Sequence, residues 1–148
     1  MSFLGSVGSP AGALRILSVM MGVFLVCMGL TKIDWLMDAS ILTRLLQEWR
    51  GPAPPFVRWY LDTIAIPGAP VFARVVMVAE VAAGAALVLG VRTRLAAALA
   101  LPMVINFHVA SDVIFHYSYL TNGYGLPVLS GLLALALAGA RLPFSVSR

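Results

Sequence analysis

The chain of 148 residues is poor in the groups on which most soluble enzymes rely: it has 6 acidic residues, 2 histidines and a single cysteine. Because Cys27 stands alone, a disulfide framework and a CxxC dithiol pair within one chain are both excluded. The 10 basic residues give a formal net charge of +4, but they are scattered along the sequence. We therefore expect them to set membrane topology, and we expect no nucleic-acid binding.

Apolar side chains take the place of the missing charge. The sequence is 61% hydrophobic and 11% charged, whereas soluble domains are roughly half apolar and a quarter charged. At about 20 residues per crossing, the apolar runs predict four spans, at residues 11–33, 69–91, 95–117 and 124–141. These runs show no alternation with a period of two, and in lipid every backbone group needs an internal partner, so the spans are predicted to be helices.

The sequence thus predicts one all-α domain, residues 1–148, built as an integral membrane four-helix bundle in the lipid bilayer. No small-x-small cleavage site follows the first apolar run before Lys32. We therefore expect the first helix to be retained rather than removed as a signal peptide.

The charges also predict an orientation. If four helices alternate, the two termini and the turn at 92–94 share one side, which carries arginine and no acidic residue. By the positive-inside rule both termini are expected to be cytoplasmic. The connection 34–68 is then extracytoplasmic, and its apolar residues recur at helical spacing from Met37 to Trp49, which predicts an amphipathic interfacial segment. Breaks are expected at 51–55 and at Pro67-Gly68. The three tryptophans, Trp35, Trp49 and Trp59, are expected at the headgroup level.

Ionisable residues within the spans predict two polar layers. Counted at about 1.5 Å per residue from the outer helix ends, Arg74 and Asp112 lie at one depth, and Glu80, His108 and Asn106 lie deeper. Such groups normally face the bundle interior and pair together. We expect an Arg74–Asp112 ion pair and a hydrogen bond from Glu80 to His108 or Asn106. Two interpretations explain these layers. One is a structural polar clamp between helices, and the other is a quinone or substrate pocket.

On the third predicted helix His108, Asp112 and His116 recur at i, i+4 and i+8, which places them on one face. A metal site is not expected, because the three would span about 12 Å along one helix. A bis-histidine haem site is not expected either, because no other helix supplies a histidine. A proton path to the outer surface is the remaining functional interpretation, with a plain interfacial role as the alternative for His116. Lys32 either snorkels to the interface or adds positive charge to an outer pocket.

Short motifs follow one another in a fixed order along the chain: Gly22 to Gly29-x-x-Lys32, Trp59-Tyr60-Leu61 before Ile66-Pro67, Glu80 with small residues after it, Leu87-x-x-Gly90, Thr93-Arg94, Ile105-Asn106-Phe107-His108 and Thr121-Asn122-Gly123. In this order and spacing they resemble the DoxX/DoxD family of small four-helix membrane proteins. The resemblance covers most of the chain.

The resemblance implies a membrane subunit of a quinone-linked oxidoreductase in a bacterial or archaeal inner membrane, with thiosulfate or a related reduced sulfur compound as the reductant. Glu80, His108 and Asp112 are expected to be catalytic, and Lys32, Arg74 and Asn106 to bind substrate. Quinone is the expected co-substrate, with no metal or haem, and a membrane or extracytoplasmic protein the expected partner. A non-catalytic accessory or assembly subunit is the alternative. A transporter is disfavoured because no inverted repeat is visible.

Overall fold

The computed structural model describes residues 8–139 and 142–146, and within these ranges the chain is helical with no β-strand. Helix α1 is Pro10–Leu30 and helix α2 is Ser40–Arg50. Helix α3 runs continuously over Pro55–Leu89, as α-helical Pro55–Tyr60, a π turn at Leu61–Ala65 and α-helical Ile66–Leu89. Helix α4 is Thr93–Ala110 and helix α5 is Leu126–Ala138, and 3₁₀ turns cover Ile33–Leu36, Val113–Phe115 and Tyr117–Thr121.

Three of these helices, α1, α3 and α4, are long and apolar enough to cross a membrane. Helix α5 is equally apolar but has only 13 residues, which is about 20 Å at 1.5 Å per residue. The predicted fourth span therefore corresponds to a helix shorter than the hydrocarbon core of about 30 Å. Positions 140 and 141 of that prediction lie outside the described residues. The all-α bundle predicted from the sequence is confirmed.

Glycines bring α1 and α3 into backbone contact. A Cβ atom placed on Gly84 would lie 2.6 Å from the carbonyl oxygen of Gly22, and one on Gly22 would lie 2.6 Å from that of Gly84. Near the far end of the same interface, the Arg15 guanidinium donates to the carbonyl oxygens of Leu87 and Val88 at 2.9 and 2.6 Å. Small residues let helices approach closely in lipid, where no hydrophobic force drives association. These contacts fix the rotation of α1 against α3.

Buried side chains form two clusters. The first lies among α1, α3, α4 and α5 and includes Leu25, Leu87 and Leu132. The second lies beneath α2, whose Leu42 and Leu46 pack against the first turns of α3. The predicted amphipathic helix is thus present, and its apolar face packs on the protein.

The tryptophans differ from the prediction in one respect. Trp59 is exposed, as expected for an interfacial ring, but Trp35 is only 7% exposed and belongs to the second cluster. Trp35 and Trp49 both pack against Phe107 of α4, with ring centroids 6.4 Å apart in each case. Two of the three rings therefore join the segment between α1 and α3 to the helix bundle.

The predicted break at Pro67-Gly68 is wrong, because α3 continues through it. The π turn at Leu61–Ala65 immediately precedes the proline, and the N–H of Ile66 donates to the carbonyl oxygen of Leu61, five residues back. A π turn carries one extra residue and changes the register of the carbonyls that a proline ring would otherwise strike. The chain accommodates the proline there without ending the helix.

The predicted end of the third span at residue 117 is also wrong, because α4 stops at Ala110. The Ser111 hydroxyl bonds the carbonyl oxygen of Phe107, and Asp112 adopts a left-handed backbone conformation with φ 61°. Serine and aspartate side chains compete with the helix for hydrogen bonds to backbone groups. A residue in the left-handed conformation cannot continue a right-handed helix. His108, Asp112 and His116 therefore do not share one helix face.

Candidate functional site

A buried ion pair joins the end of α1 to the middle of α3. Lys32 Nζ lies 2.7 Å from Glu80 Oε2, and the two side chains are 11% and 6% exposed. The ammonium also donates to the carbonyl oxygen of Met28 at 2.9 Å and lies 5.6 Å from the centroid of the Phe107 ring. Lys32 lies two residues after the end of α1, and its side chain enters the bundle instead of snorkelling to the interface.

A second polar pair reaches the same region from the connection after α4. The Tyr119 hydroxyl lies 2.8 Å from His108 Nδ1, and the two rings are edge to face with centroids 5.2 Å apart. Burial raises the pKa of Tyr119, so the phenol keeps its proton at neutral pH. It donates to Nδ1 in one tautomer of His108 and accepts from Nδ1–H in the other. A neutral imidazole that accepts at Nδ1 carries its own proton on Nε2. Within the described residues Nε2 has no hydrogen-bond partner, which leaves it available to a ligand.

Gly125 makes room for this tyrosine. A Cβ atom on Gly125 would lie 2.8 Å from the carbonyl oxygen of Tyr119 and 2.9 Å from its ring. The short turns between α4 and α5 thus fold back tightly enough to bury Tyr119, which is 4% exposed.

Lys32, Glu80 and His108 line a cavity of about 370 Å³ beneath α2. Its polar lining comprises Lys32, Glu80, His108 and Ser111, and most of the remaining wall is aliphatic or aromatic: Phe24, Leu25, Met28, Leu45, Trp49, Val104, Phe107 and Tyr124. Ligand pockets typically have volumes of about 300–1,000 Å³ and combine apolar walls with a few convergent polar groups. The lining of this cavity is mostly apolar and has a few convergent polar groups, which is the composition of a small-molecule site.

The sequence model of the DoxX family matches residues 13–116, from the first turn of α1 to beyond the end of α4. The chain belongs to the DoxX family. Searches of curated proteins and of solved structures each found no match. The matched range includes Lys32, Glu80 and His108 and ends before Tyr119. The family assignment based on sequence motifs is therefore confirmed, and the protein is a DoxX membrane protein.

Only some residues of the predicted polar layers lie together in this DoxX protein. Lys32, Glu80 and His108 line one cavity, but Glu80 pairs with Lys32, so the predicted hydrogen bond to His108 or Asn106 is absent. The Asn106 side chain instead accepts from the Tyr60 hydroxyl. Residue count along a helix predicts depth, which groups Glu80 with His108, but it does not predict the direction of each side chain around the helix axis.

The predicted Arg74–Asp112 ion pair is wrong. Arg74 is exposed and its guanidinium donates to the carbonyl oxygen of Pro70, one turn earlier on its own helix. Asp112 Oδ2 lies 3.1 Å from His116 Nε2, beyond the end of α4. Because α4 ends at Ala110, the side chain of Asp112 does not point where a continued helix would place it. Arg74 and Lys32 therefore form no shared anion site.

Sequence reasoning missed the role of Tyr119 and of the aromatic wall. Tyr119 is 11 residues from His108, across two turns with no regular period, so no sequence pattern links them. Phe107 and Trp49 were detectable as aromatic residues beside polar ones, but their joint packing needs the fold of α2 over α4. Among the described residues no group of three or more histidine, cysteine or acidic side chains is placed to hold a metal ion.

Proposed function

We propose that this DoxX protein is the quinone-binding membrane subunit of an oxidoreductase, with the quinone ring in the cavity beneath α2. The observation that carries the proposal is the convergence of Lys32, Glu80 and His108 on one largely apolar cavity. A quinone ring is flat and carries two carbonyl oxygens that accept hydrogen bonds. Trp49 and Phe107, edge to face at 6.4 Å, offer aromatic surface for its faces.

Side chains of this cavity suit the two requirements of quinone reduction, which are stabilisation of negative charge and delivery of protons. Reduction of a quinone to a quinol takes up two electrons and two protons, and negative charge develops on the carbonyl oxygens. The Lys32 ammonium would stabilise that charge from a fixed position in a site of low dielectric constant. His108 Nε2–H would donate to one oxygen, and Glu80 and His108 are groups able to transfer protons.

The electrons are proposed to come from a reduced sulfur compound such as thiosulfate. Joining two thiosulfate ions through a new S–S bond releases the two electrons that a quinone needs. Since Arg74 and Lys32 do not form a shared anion site, we place this oxidation on a partner protein at the extracytoplasmic face. That face is proposed to be the one covered by α2, with the arginine-rich 92–94 turn on the cytoplasmic side.

Binding of a short-chain quinone analogue to the purified protein in nanodiscs tests the proposal directly. Quenching of tryptophan fluorescence should saturate, because Trp49 lines the cavity and Trp35 lies beside Lys32. The variant His108→Gln should weaken binding by about 5- to 10-fold, the value of one hydrogen bond of about 1–1.4 kcal/mol. The control His116→Gln, exposed and outside the cavity, should bind like the wild type. Quenching that never saturates, or equal losses in the two variants, would refute the site.

One specific observation favours a non-catalytic accessory subunit. Lys32 and Glu80 neutralise each other in a buried ion pair that joins α1 to α3, which is a structural role. In that case Glu80→Gln should lower the abundance of a partner complex in native membranes while turnover per complex stays constant. Loss of turnover at normal complex abundance favours the quinone site instead. Measuring both quantities in one membrane preparation separates the two functions.

A further inference from the structure

A second groove opens on the outer surface of α3 and α4 and shares no lining residue with the cavity. It has a volume of about 350 Å³, and small or aliphatic side chains form most of its wall, among them Ala79, Ala83, Ala86, Leu95 and Leu99. Leu99 is 64% exposed, so the groove faces the surroundings of the bundle. In a membrane protein that surface is in contact with lipid.

The dimensions of the groove match one leaflet of a bilayer. Its lining along α4 extends from Arg92, in the turn before the helix, to Met103, which is about 16 Å at 1.5 Å per residue. Half of a hydrocarbon core of about 30 Å is about 15 Å. The groove therefore has the length of one acyl chain that begins at the membrane surface and ends near the bilayer centre.

The charge at the surface end of the groove selects the headgroup. Arg92 is exposed and lines the groove, and Arg94 lies in the same turn. No acidic residue occurs between Glu80 and Asp112 in the sequence. A positive end and an apolar trough complement a lipid that has a negative headgroup and a hydrocarbon chain.

A second copy of the chain fits the same surface less well. The alanines would allow close helix packing, but a two-fold dimer through this groove places the same patch of both copies together. Each Arg92 would then lie at the membrane depth of its partner's Arg92, with no acidic residue in that turn. We propose that the groove binds an acyl chain of an anionic phospholipid whose phosphate pairs with Arg92.

Spin-labelled lipids in vesicles of phosphatidylcholine with one fifth phosphatidylglycerol test the proposal. The wild type should immobilise labelled phosphatidylglycerol more strongly than labelled phosphatidylcholine. Arg92→Gln should reduce that preference about fivefold, the equivalent of one cationic side chain near a charged headgroup, and Arg92→Lys should retain it. The control Arg94→Gln removes the same charge from the same turn and should change the preference twofold or less, because Arg94 does not line the groove. An unchanged preference in Arg92→Gln overturns the proposal.

Two further variants test the apolar part and the competing occupant. Ala83→Phe fills the trough without changing charge, so it should release immobilised phosphatidylglycerol while Arg92 is intact; retention of the lipid would count against the groove. Ala82→Cys, made in a Cys27→Ser background, places the only thiol on the groove. Efficient disulfide dimers of that variant in membranes would show that a second copy occupies the surface, whereas their absence agrees with a lipid.

Discussion

Replacing Lys32 with methionine should destabilise the protein more than replacing Glu80 with methionine, although both changes break the same ion pair. Within the described residues Lys32 is the only hydrogen-bond partner of the Glu80 carboxylate. Lys32 itself has further partners: the carbonyl oxygen of Met28 and the faces of two aromatic rings, Phe107 and Trp35. Loss of the lysine therefore isolates a buried charge completely, while loss of the glutamate does not.

The magnitude follows from the burial of the pair. Both side chains are about nine-tenths buried, so solvent and salt screen the pair weakly. Removing one partner of a buried pair costs about 3–5 kcal/mol, because the other charge stays buried without compensation. We expect Lys32→Met to lie in that range and Glu80→Met at about 1–3 kcal/mol. The double variant should lie within about 1 kcal/mol of the wild type, because apolar residues of similar size often replace a buried pair without loss.

Unfolding in mixed detergent and dodecyl sulfate micelles, followed by tryptophan fluorescence, measures these free energies. Trp35 is a suitable reporter because it is 7% exposed and adjacent to Lys32. The coupling energy between the two sites should be about 3 kcal/mol or more. Arg74→Met is the matched control, since that exposed guanidinium bonds only its own helix, and it should change stability by about 0.5 kcal/mol or less. Additive losses in the double variant, or a glutamate variant as unstable as the lysine variant, would refute the reasoning.

Two other predictions concern packing and pH. Gly84→Ala should lower the free energy of unfolding by about 3 kcal/mol or more, because its Cβ would lie 2.6 Å from the backbone of Gly22. The control Gly123→Ala has no neighbour within 4 Å and should be nearly neutral. Equal losses of stability in the same unfolding assay would contradict this. Because burial raises the pKa of Tyr119, the folded state holds that proton to higher pH than the unfolded chain, so its contribution to stability is lost as pH rises above about 10. Stability curves between pH 8 and 11 should show a steeper fall in the wild type than in Tyr119→Phe, and identical curves would be inconsistent with a buried phenol.

Much of the architecture was predictable because it depends on local sequence. Apolar runs of membrane length predicted the helices, and the periodic segment from Met37 to Trp49 predicted the amphipathic helix α2. The predictions of helix ends were wrong where adjacent residues changed the effect of a local pattern. The proline at 67 does not end α3 because a π turn precedes it, and α4 ends early because the Ser111-Asp112 pair turns the chain.

The candidate site was half predictable for a related reason. Counting residues along a helix gives the depth of a side chain, and this grouped Glu80 with His108 correctly. It gives no information on rotation about the helix axis. The expectation that Arg74 faces the bundle interior is wrong for this reason, because its side chain is exposed. For Lys32 the sequence leaves two roles open, snorkelling to the interface or adding positive charge to a pocket, and the ion pair with Glu80 shows that the ammonium lies inside the bundle.

The all-helical membrane architecture with few charges inside it follows from the amino-acid sequence, because hydrophobic length and composition are properties of each segment alone. Which of those charges meet depends on how the segments pack. The Gly22–Gly84 contact sets the rotation of α1 against α3 and brings Lys32 to Glu80, and the folded-back turns bring Tyr119 to His108. Partner choice depends on helix rotation and chain direction, which are set by packing between segments that are distant in sequence.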